Sequence, residues 1–248
     1  MDPRSGQPVA PEPAASAVFL SEVRADLNAG ADFLQRLTPE EIAKVRAIGT
    51  HKTVPAGQSV FRQGDIHEGI WLIESGTVRA FYVSPSGREI TLALWTRGHF
   101  IGGPEIFGGG VHMWSGDAQE ETQLLYLTGA KIRTLVETMP NFALGLIEGL
   151  VAKGKCYSAL VQMLGTRSVT ERLAQLLIIF ADTAGRPEGN RLVIERKLTH
   201  DQLAAIVGAT RQWVTMTLDK FQKRGLISVS RQCIVVENYD LLAAQISA

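Results

Sequence analysis

Between residues 51 and 127 apolar positions come in short runs, at 70–74, 78–83, 90–95 and 123–127, with glycines at 57, 64, 76, 87 and 98 about one strand plus one turn apart. Runs of Ile, Val, Leu, Trp and Tyr broken by turn chemistry such as Gly64-Asp65 and Ser84-Pro85-Ser86-Gly87 predict an antiparallel β-roll. Upstream, residues 19–48 predict two helical pieces, the second opening at Thr38-Pro39-Glu40-Glu41 as a capped start. Downstream the period changes. Over residues 140–164, Ala143, Ile147, Leu150, Gly154, Tyr157, Val161 and Leu164 recur at alternating spacings of 4 and 3, a heptad seam suited to pairing with a second copy. The same stripe could instead cover the roll. A second stripe, Phe142, Leu146, Cys156, Leu160 and Met163, is available for that packing, which favours a helix wedged between its own roll and its twin.

Residues 198–227 carry two further helical patterns with a glycine between them. Thr199, with Gln202 three residues on, makes a capping box for a helix that buries Leu203, Ile206 and Val207. Gly208 ends it with a left-handed backbone. Thr210 caps the next helix, whose Val214, Leu218 and Phe221 face the interior and leave Arg211, Gln212, Thr215 and Met216 outward. This is a helix-turn-helix, and those outward positions are the ones a recognition helix presents to the major groove. Arg211 can pair with guanine and Gln212 with adenine, while Thr215 and Met216 offer apolar contact to a thymine methyl. Trp213 either brings its indole N–H to a phosphate or packs on a neighbouring element. Lys220, Lys223 and Arg224 are candidates for phosphate contacts. After Gly225, residues 226–229 and 233–237 predict a short hairpin, or wing, with Arg231 at its tip near the DNA backbone.

Composition narrows the class without deciding it. With 248 residues, 45% hydrophobic and 20% charged, the chain suits two soluble domains. Residues 1–18 read as a flexible tail, and no run reaches the length of a membrane span or the apolar core of a signal peptide, so a cytoplasmic protein is expected. The net charge is zero, but from residue 167 onward 11 basic and 8 acidic residues give +3, leaving −3 for the rest. The sign fits a nucleic-acid partner for the C-terminal part. Two cysteines, Cys156 and Cys233, exclude a disulfide framework and a cluster held by four thiolates.

The order of β-roll, long helix and winged helix-turn-helix resembles the CRP/FNR family of bacterial transcription regulators over nearly the whole chain. The resemblance is carried by residues 56–65 (AGQSVFRQGD), 72–76 (LIESG), 87–90 (GREI), 98–102 (GHFIG), 203–208 (LAAIVG) and 210–212 (TRQ). It implies an α+β fold with a cyclic-nucleotide-binding-like roll over residues 19–139, a dimerisation helix over 140–166 and a winged DNA-binding domain over 167–248. It also implies a homodimer on a palindromic operator, RNA polymerase as a further partner, and no catalysis.

The sequence departs from the family pattern at the ligand site. Members that bind cyclic nucleotides carry Gly-Glu after the equivalent of Ile101 and, later in the same loop, an Arg-Ser or Arg-Thr pair that holds the phosphate. Here stand Gly102-Gly103-Pro104-Glu105 and Met113-Trp114, and residues 98–130 contain no Lys or Arg. Loss of a charge-assisted contact of roughly 1.5–3 kcal/mol predicts at least a tenfold weaker hold on cyclic AMP. The pocket candidates are Trp95, Phe100, Gly102, Gly103, Glu105, Met113, Trp114, Tyr157 and Ser158, which either enclose an apolar small-molecule effector or simply fill the roll. Residues 1–50 hold no cysteine, so no iron–sulfur cluster is expected. Haem stays open through His99, His112 or Cys156 but is not expected, since solitary histidines at irregular spacing are usually not ligands, and no HxH or HExxH pair offers another metal site. In the recognition helix, many members carry Glu and a second Arg where Gln212 and Met216 stand, which predicts an altered half-site. Two readings of other classes stay open: a protein-interaction module, disfavoured by Arg211, Gln212 and the basic turn, and a β-roll enzyme, for which the sequence offers no defensible constellation of nucleophile and base.

Overall fold

The computed structural model describes residues 32–195, 199–230 and 233–246. The tail, the first predicted helical piece up to residue 31, and Arg231 therefore lie outside the described residues. The chain begins with a 3-10 turn, Phe33–Arg36, and helix α1, Pro39–Ile48, which Thr38 and Glu41 start with a reciprocal capping box.

Eight strands follow: β1 Thr50–Val54, β2 Ser59–Phe61, β3 Gly69–Ser75, β4 Thr77–Val83, β5 Glu89–Thr96, β6 Phe100–Ile101, β7 Ser115–Ala118 and β8 Thr122–Thr128. They form two antiparallel four-stranded sheets in the orders β1-β8-β3-β6 and β2-β7-β4-β5. Strands β3 and β8 pair Ile70 with Leu127 and Leu72 with Leu125. Both strands are apolar almost throughout because both of their faces are covered. Ile73 and Leu124 point between the sheets, toward Val78, Ala80, Ala93 and Trp95. Ile70, Leu72, Leu125 and Leu127 point the other way, into a core with Phe33, Phe142 and Leu146.

Helix α2, Gly129–Thr138, leads into the 27-residue helix α3, Pro140–Thr166. One stripe of α3 is buried, comprising Phe142, Leu146, Ala152, Cys156, Leu160 and Met163 together with Gly145 and Gly149. The two glycines sit where a side chain has no room: a Cβ would lie 2.8 Å from the Phe33 ring at Gly145 and 2.4 Å from the Phe100 ring at Gly149. The opposite face is exposed at 144, 147, 151, 154, 158, 161 and 165, a strict 3, 4 repeat that includes Leu144, Ile147, Val151 and Val161. Leu150 is also open, at 38% exposure, so the exposed face shares Ile147, Leu150, Gly154 and Val161 with the sequence reading. Ala143, Tyr157 and Leu164 are half-buried on its flank because they lean against their own subunit.

Ser168 and Glu171 form a capping box that breaks α3 from helix α4, Val169–Ala184. Strands β9 Gly185–Glu188 and β10 Arg191–Ile194 precede helices α5 His200–Val207 and α6 Arg211–Lys223, and the chain closes with β11 Ile227–Val229, β12 Ile234–Val236 and helix α7 Tyr239–Ala243. The sheet order β11-β12-β10-β9 gives a wing of four strands, two more than the sequence reading supplied. Leu173, Leu177 and Phe180 of α4 pack on Leu203, Val207, Val214, Leu218 and Phe221 in a separate core.

Ile147 and Val161 are 56% and 68% exposed on the free face of α3. Changing both to Lys is expected to turn a dimer into a monomer in sedimentation without altering the far-ultraviolet circular dichroism. Leu146→Ala, on the buried face, is expected to cost about 2–5 kcal/mol in denaturant unfolding.

Candidate functional site

Helices α5 and α6 are each started by a threonine. The Thr199 hydroxyl accepts from Gln202 N at 3.1 Å while the Gln202 side chain accepts from Thr199 N at 2.9 Å, and the Thr210 hydroxyl accepts from Trp213 N at 3.3 Å. Between them Gly208 has φ +64, a left-handed turn that a glycine makes without the steric cost of a Cβ. Val214, Leu218 and Phe221 are buried, so Arg211, Gln212, Thr215, Met216 and Lys220 are left on the exposed face of α6, with Trp213 half-buried at its edge. Two contacts that sequence spacing could not show reach this face from the first turn of α5. Asp201 lies 3.7 Å from Arg211, and His200 Nδ1 lies 2.7 Å from Thr215 Oγ1. Among the other basic residues, Lys223 pairs with Asp219 at 2.7 Å and Arg224 donates to Gln245 at 2.6 Å.

The roll brings together part of the predicted pocket. Tyr157 of α3 lies edge-on to Trp95 and Trp114, with ring centroids at 6.5 and 5.8 Å. Phe100 belongs instead to the helix-covered core, while Glu105, Met113 and Ser158 are at the surface, Met113 at 55% exposure. Gly102 and Gly103 are packed against His67: a Cβ on Gly103 would lie 2.9 Å from that ring. His67 in turn meets His112 at 4.5 Å between centroids, and His112 stacks on Phe61 at 4.4 Å. Burial holds the pKa of both histidines below the usual imidazole value, so both rings are neutral. An open groove of about 470 Å³ lies elsewhere, lined by Ser59, Arg62, Gln63, Phe81, Ser115 and Asp117 among others, none of them a predicted pocket residue.

Two family descriptions match this chain, one over the roll and one over the C-terminal helices and wing. A cyclic nucleotide-binding domain covers residues 51–139, and a Crp-like helix-turn-helix domain covers residues 171–245. The chain belongs to the CRP/FNR family of transcription regulators. It is 25% identical over 218 residues to a CRP-like cAMP-activated global transcriptional regulator of Mycobacterium tuberculosis, covering 88% of this chain and 97% of that protein. It is 27% identical over 193 residues to the global nitrogen regulator of Synechococcus elongatus, covering 77% and 87%. In structure it is similar to the c-di-GMP-responsive global regulator CLP of Xanthomonas campestris, with a TM-score of 0.73, 20% identity and coverage of 81% and 100%. As a member of the CRP/FNR family the protein is a sequence-specific, DNA-binding, homodimeric regulator and not an enzyme. Among the described residues no single helix is long and apolar enough to cross a membrane.

In this CRP/FNR protein the roll touches the helix-turn-helix directly. Arg88, in the hairpin between β4 and β5, donates to the carbonyl oxygen of Gly208. Arg172 lies alongside, and its burial together with the charge of Arg88 lowers its pKa. Ile206 of α5 faces Leu92 and Leu94 of β5, with Cys156, Leu160 and Leu176, around a cavity of about 20 Å³, room for one water. Sequence reasoning also missed Lys153, whose ammonium lies 3.7 Å from the Trp95 ring centroid and 4.8 Å from that of Phe100. Desolvation lowers its pKa to about 7. The i, i+4 relation of Lys153 to Tyr157 and Gly149 put it on the inward edge of α3, and that was its one available signal.

His99 is 3% exposed, its Nδ1 lies 3.0 Å from the Thr96 carbonyl, and its Nε2 has no partner. Burial first, and the Lys153 charge second, lower its pKa from 6.5 to about 4. A depressed imidazole pKa means that the unfolded chain takes up the proton first, so the stability His99 contributes is complete above pH 6.5 and is lost as pH falls toward 4. The expected loss approaches roughly 3 kcal/mol, at about 1.4 kcal/mol per tenfold in proton affinity. The denaturant midpoint of the wild type should fall relative to that of His99→Phe as pH drops through this range. Parallel curves would remove His99 from the acid response.

Proposed function

We propose that this regulator reads a palindromic operator through the first turn of α6 in each subunit and responds to a signal other than cyclic AMP. The supporting observation for the second part is the stack of His67, His112 and Phe61 against Gly102 and Gly103, in the segment where the family's nucleotide-binding members hold the phosphate. Neutral rings occupy space there, and residues 98–130 supply no cation, so an anionic phosphate would meet Glu105 without a compensating charge. The names of the relatives already span cyclic AMP, nitrogen and c-di-GMP, so this architecture serves more than one signal. A small effector would reach α3 at Trp95, Trp114 and Tyr157; with none, the docked arrangement of roll and helix-turn-helix is constitutive. The protein would act in the cytoplasm together with RNA polymerase.

On DNA, Arg211 takes the guanine-reading role, Gln212 the adenine-reading role, and Thr215 and Met216 the apolar contact to thymine. Thr199, Thr210, Trp213, Lys220 and Arg231 hold the backbone. Selection from random duplexes is expected to recover a palindrome whose half-sites lie about one helical turn apart. On that duplex Arg211→Ala should cost ~1–3 kcal/mol and relax preference at one base pair per half-site. Equal weakening on every sequence would reassign Arg211 to phosphate. Calorimetric titration with cyclic AMP is expected to show no saturable heat at micromolar ligand, and a micromolar dissociation constant would overturn the ligand reading.

A further inference from the structure

Thr215 has one hydroxyl proton and two hydrogen-bond neighbours. Its Oγ1 lies 3.0 Å from the backbone oxygen of Arg211, to which it donates, and 2.7 Å from Nδ1 of His200. With the proton committed to the carbonyl, the oxygen can only accept from the imidazole, so His200 carries its proton on Nδ1. The contact is long-range, joining the first residue of α5 to the second turn of α6. It has a neighbour of the same kind in Asp201 and Arg211. With the proton and one of the two lone pairs of the hydroxyl turned toward the protein, the side chain has no donor left for a base edge, and the methyl is the larger part of it left to meet DNA.

We infer that His200 is a positioning residue for base readout, fixing the Thr215 hydroxyl inward so that α6 reads the C5 methyl of a thymine in the major groove. A free threonine hydroxyl can donate to or accept from several base edges and discriminates poorly, whereas a methyl held outward prefers thymine. His200 therefore acts on specificity through Thr215 without touching the base. The inference rests on the reading of α6 as the recognition helix.

Two measurements test it. In the free protein, 15N NMR of the His200 ring should show the Nδ1–H tautomer, and Thr215→Val, which keeps the shape and removes the hydroxyl, should abolish that preference. A ring protonated on Nε2 overturns the proposal without reference to DNA. On the palindrome recovered by selection with the full-length protein, thymines are replaced one at a time by deoxyuridine, which removes only the methyl. The wild type should lose about fourfold at one thymine per half-site, the effect of one buried methyl. Thr215→Ser should bind the thymine and deoxyuridine duplexes equally. His200→Ala should also lose this discrimination while binding the deoxyuridine duplex as the wild type does, and His200→Asn, whose amide can donate in place of Nδ1–H, should restore it. Discrimination that persists in His200→Ala, or a uniform loss on all duplexes, overturns the positioning role and leaves the DNA reading intact. Failure to recover any preferred sequence overturns both.

Discussion

Helix α3 has to satisfy two surfaces at once, and the rest of the molecule is arranged around that constraint. Its inward stripe supplies Phe142 and Leu146 to the helix-covered core, Cys156 to the core between the sheets, and Leu160 to the contact with α5. Its outward stripe repeats strictly at 3 and 4 and has no cover within the subunit. A helix that is apolar on both sides is stable only when both sides are buried, so the monomer is an incomplete object by the arithmetic of exposed area. The roll and the DNA-binding domain both meet this one helix, and its exposed apolar stripe is left for a further surface.

The interior of the roll is rich in buried imidazole. His67, His99 and His112 are all buried with depressed pKa, and desolvation is the largest cause for each. His67 leaves both ring nitrogens without partners and His99 leaves Nε2 without one. Unsatisfied polar atoms in a core are costly, and here they gather around the two segments, 98–103 and 112, that the family devotes to ligand. The ammonium of Lys153 approaches this interior and lies against the faces of Trp95 and Phe100.

Much of this was legible in the sequence where a residue's role follows from spacing. The caps at Thr38, Thr199 and Thr210, the left-handed Gly208 and the buried set Val214, Leu218 and Phe221 all follow from local rules, and four strands of the roll are visible from their apolar runs. Strands β1, β2, β6 and β7 are not. β1 is Thr-His-Lys-Thr-Val with one buried residue, and β7 is Ser-Gly-Asp-Ala, so neither carries a period-2 apolar signal, and only pairing with β8, β2 and β4 makes them strands. Of the heptad positions, Ile147, Leu150, Gly154 and Val161 are exposed, whereas Tyr157 packs on Trp95 and Trp114 and Leu164 lies beside Gly208, contacts that spacing along one helix does not show. The candidate site was legible on α6 and only in part in the roll. His67 lies far from Gly103 in sequence, and nothing local announces that the two touch.

The contact between Arg88 and Gly208 engages a backbone oxygen on a residue whose φ already favours glycine. Substitution at 208 would be answered by strain in the turn before it altered the contact itself. At this contact the hold of the roll on the reading head is therefore adjusted through the guanidinium of Arg88, while the turn at Gly208 stays as it is; the packing of Ile206 on Leu92 and Leu94 is a second contact, open to change from both sides.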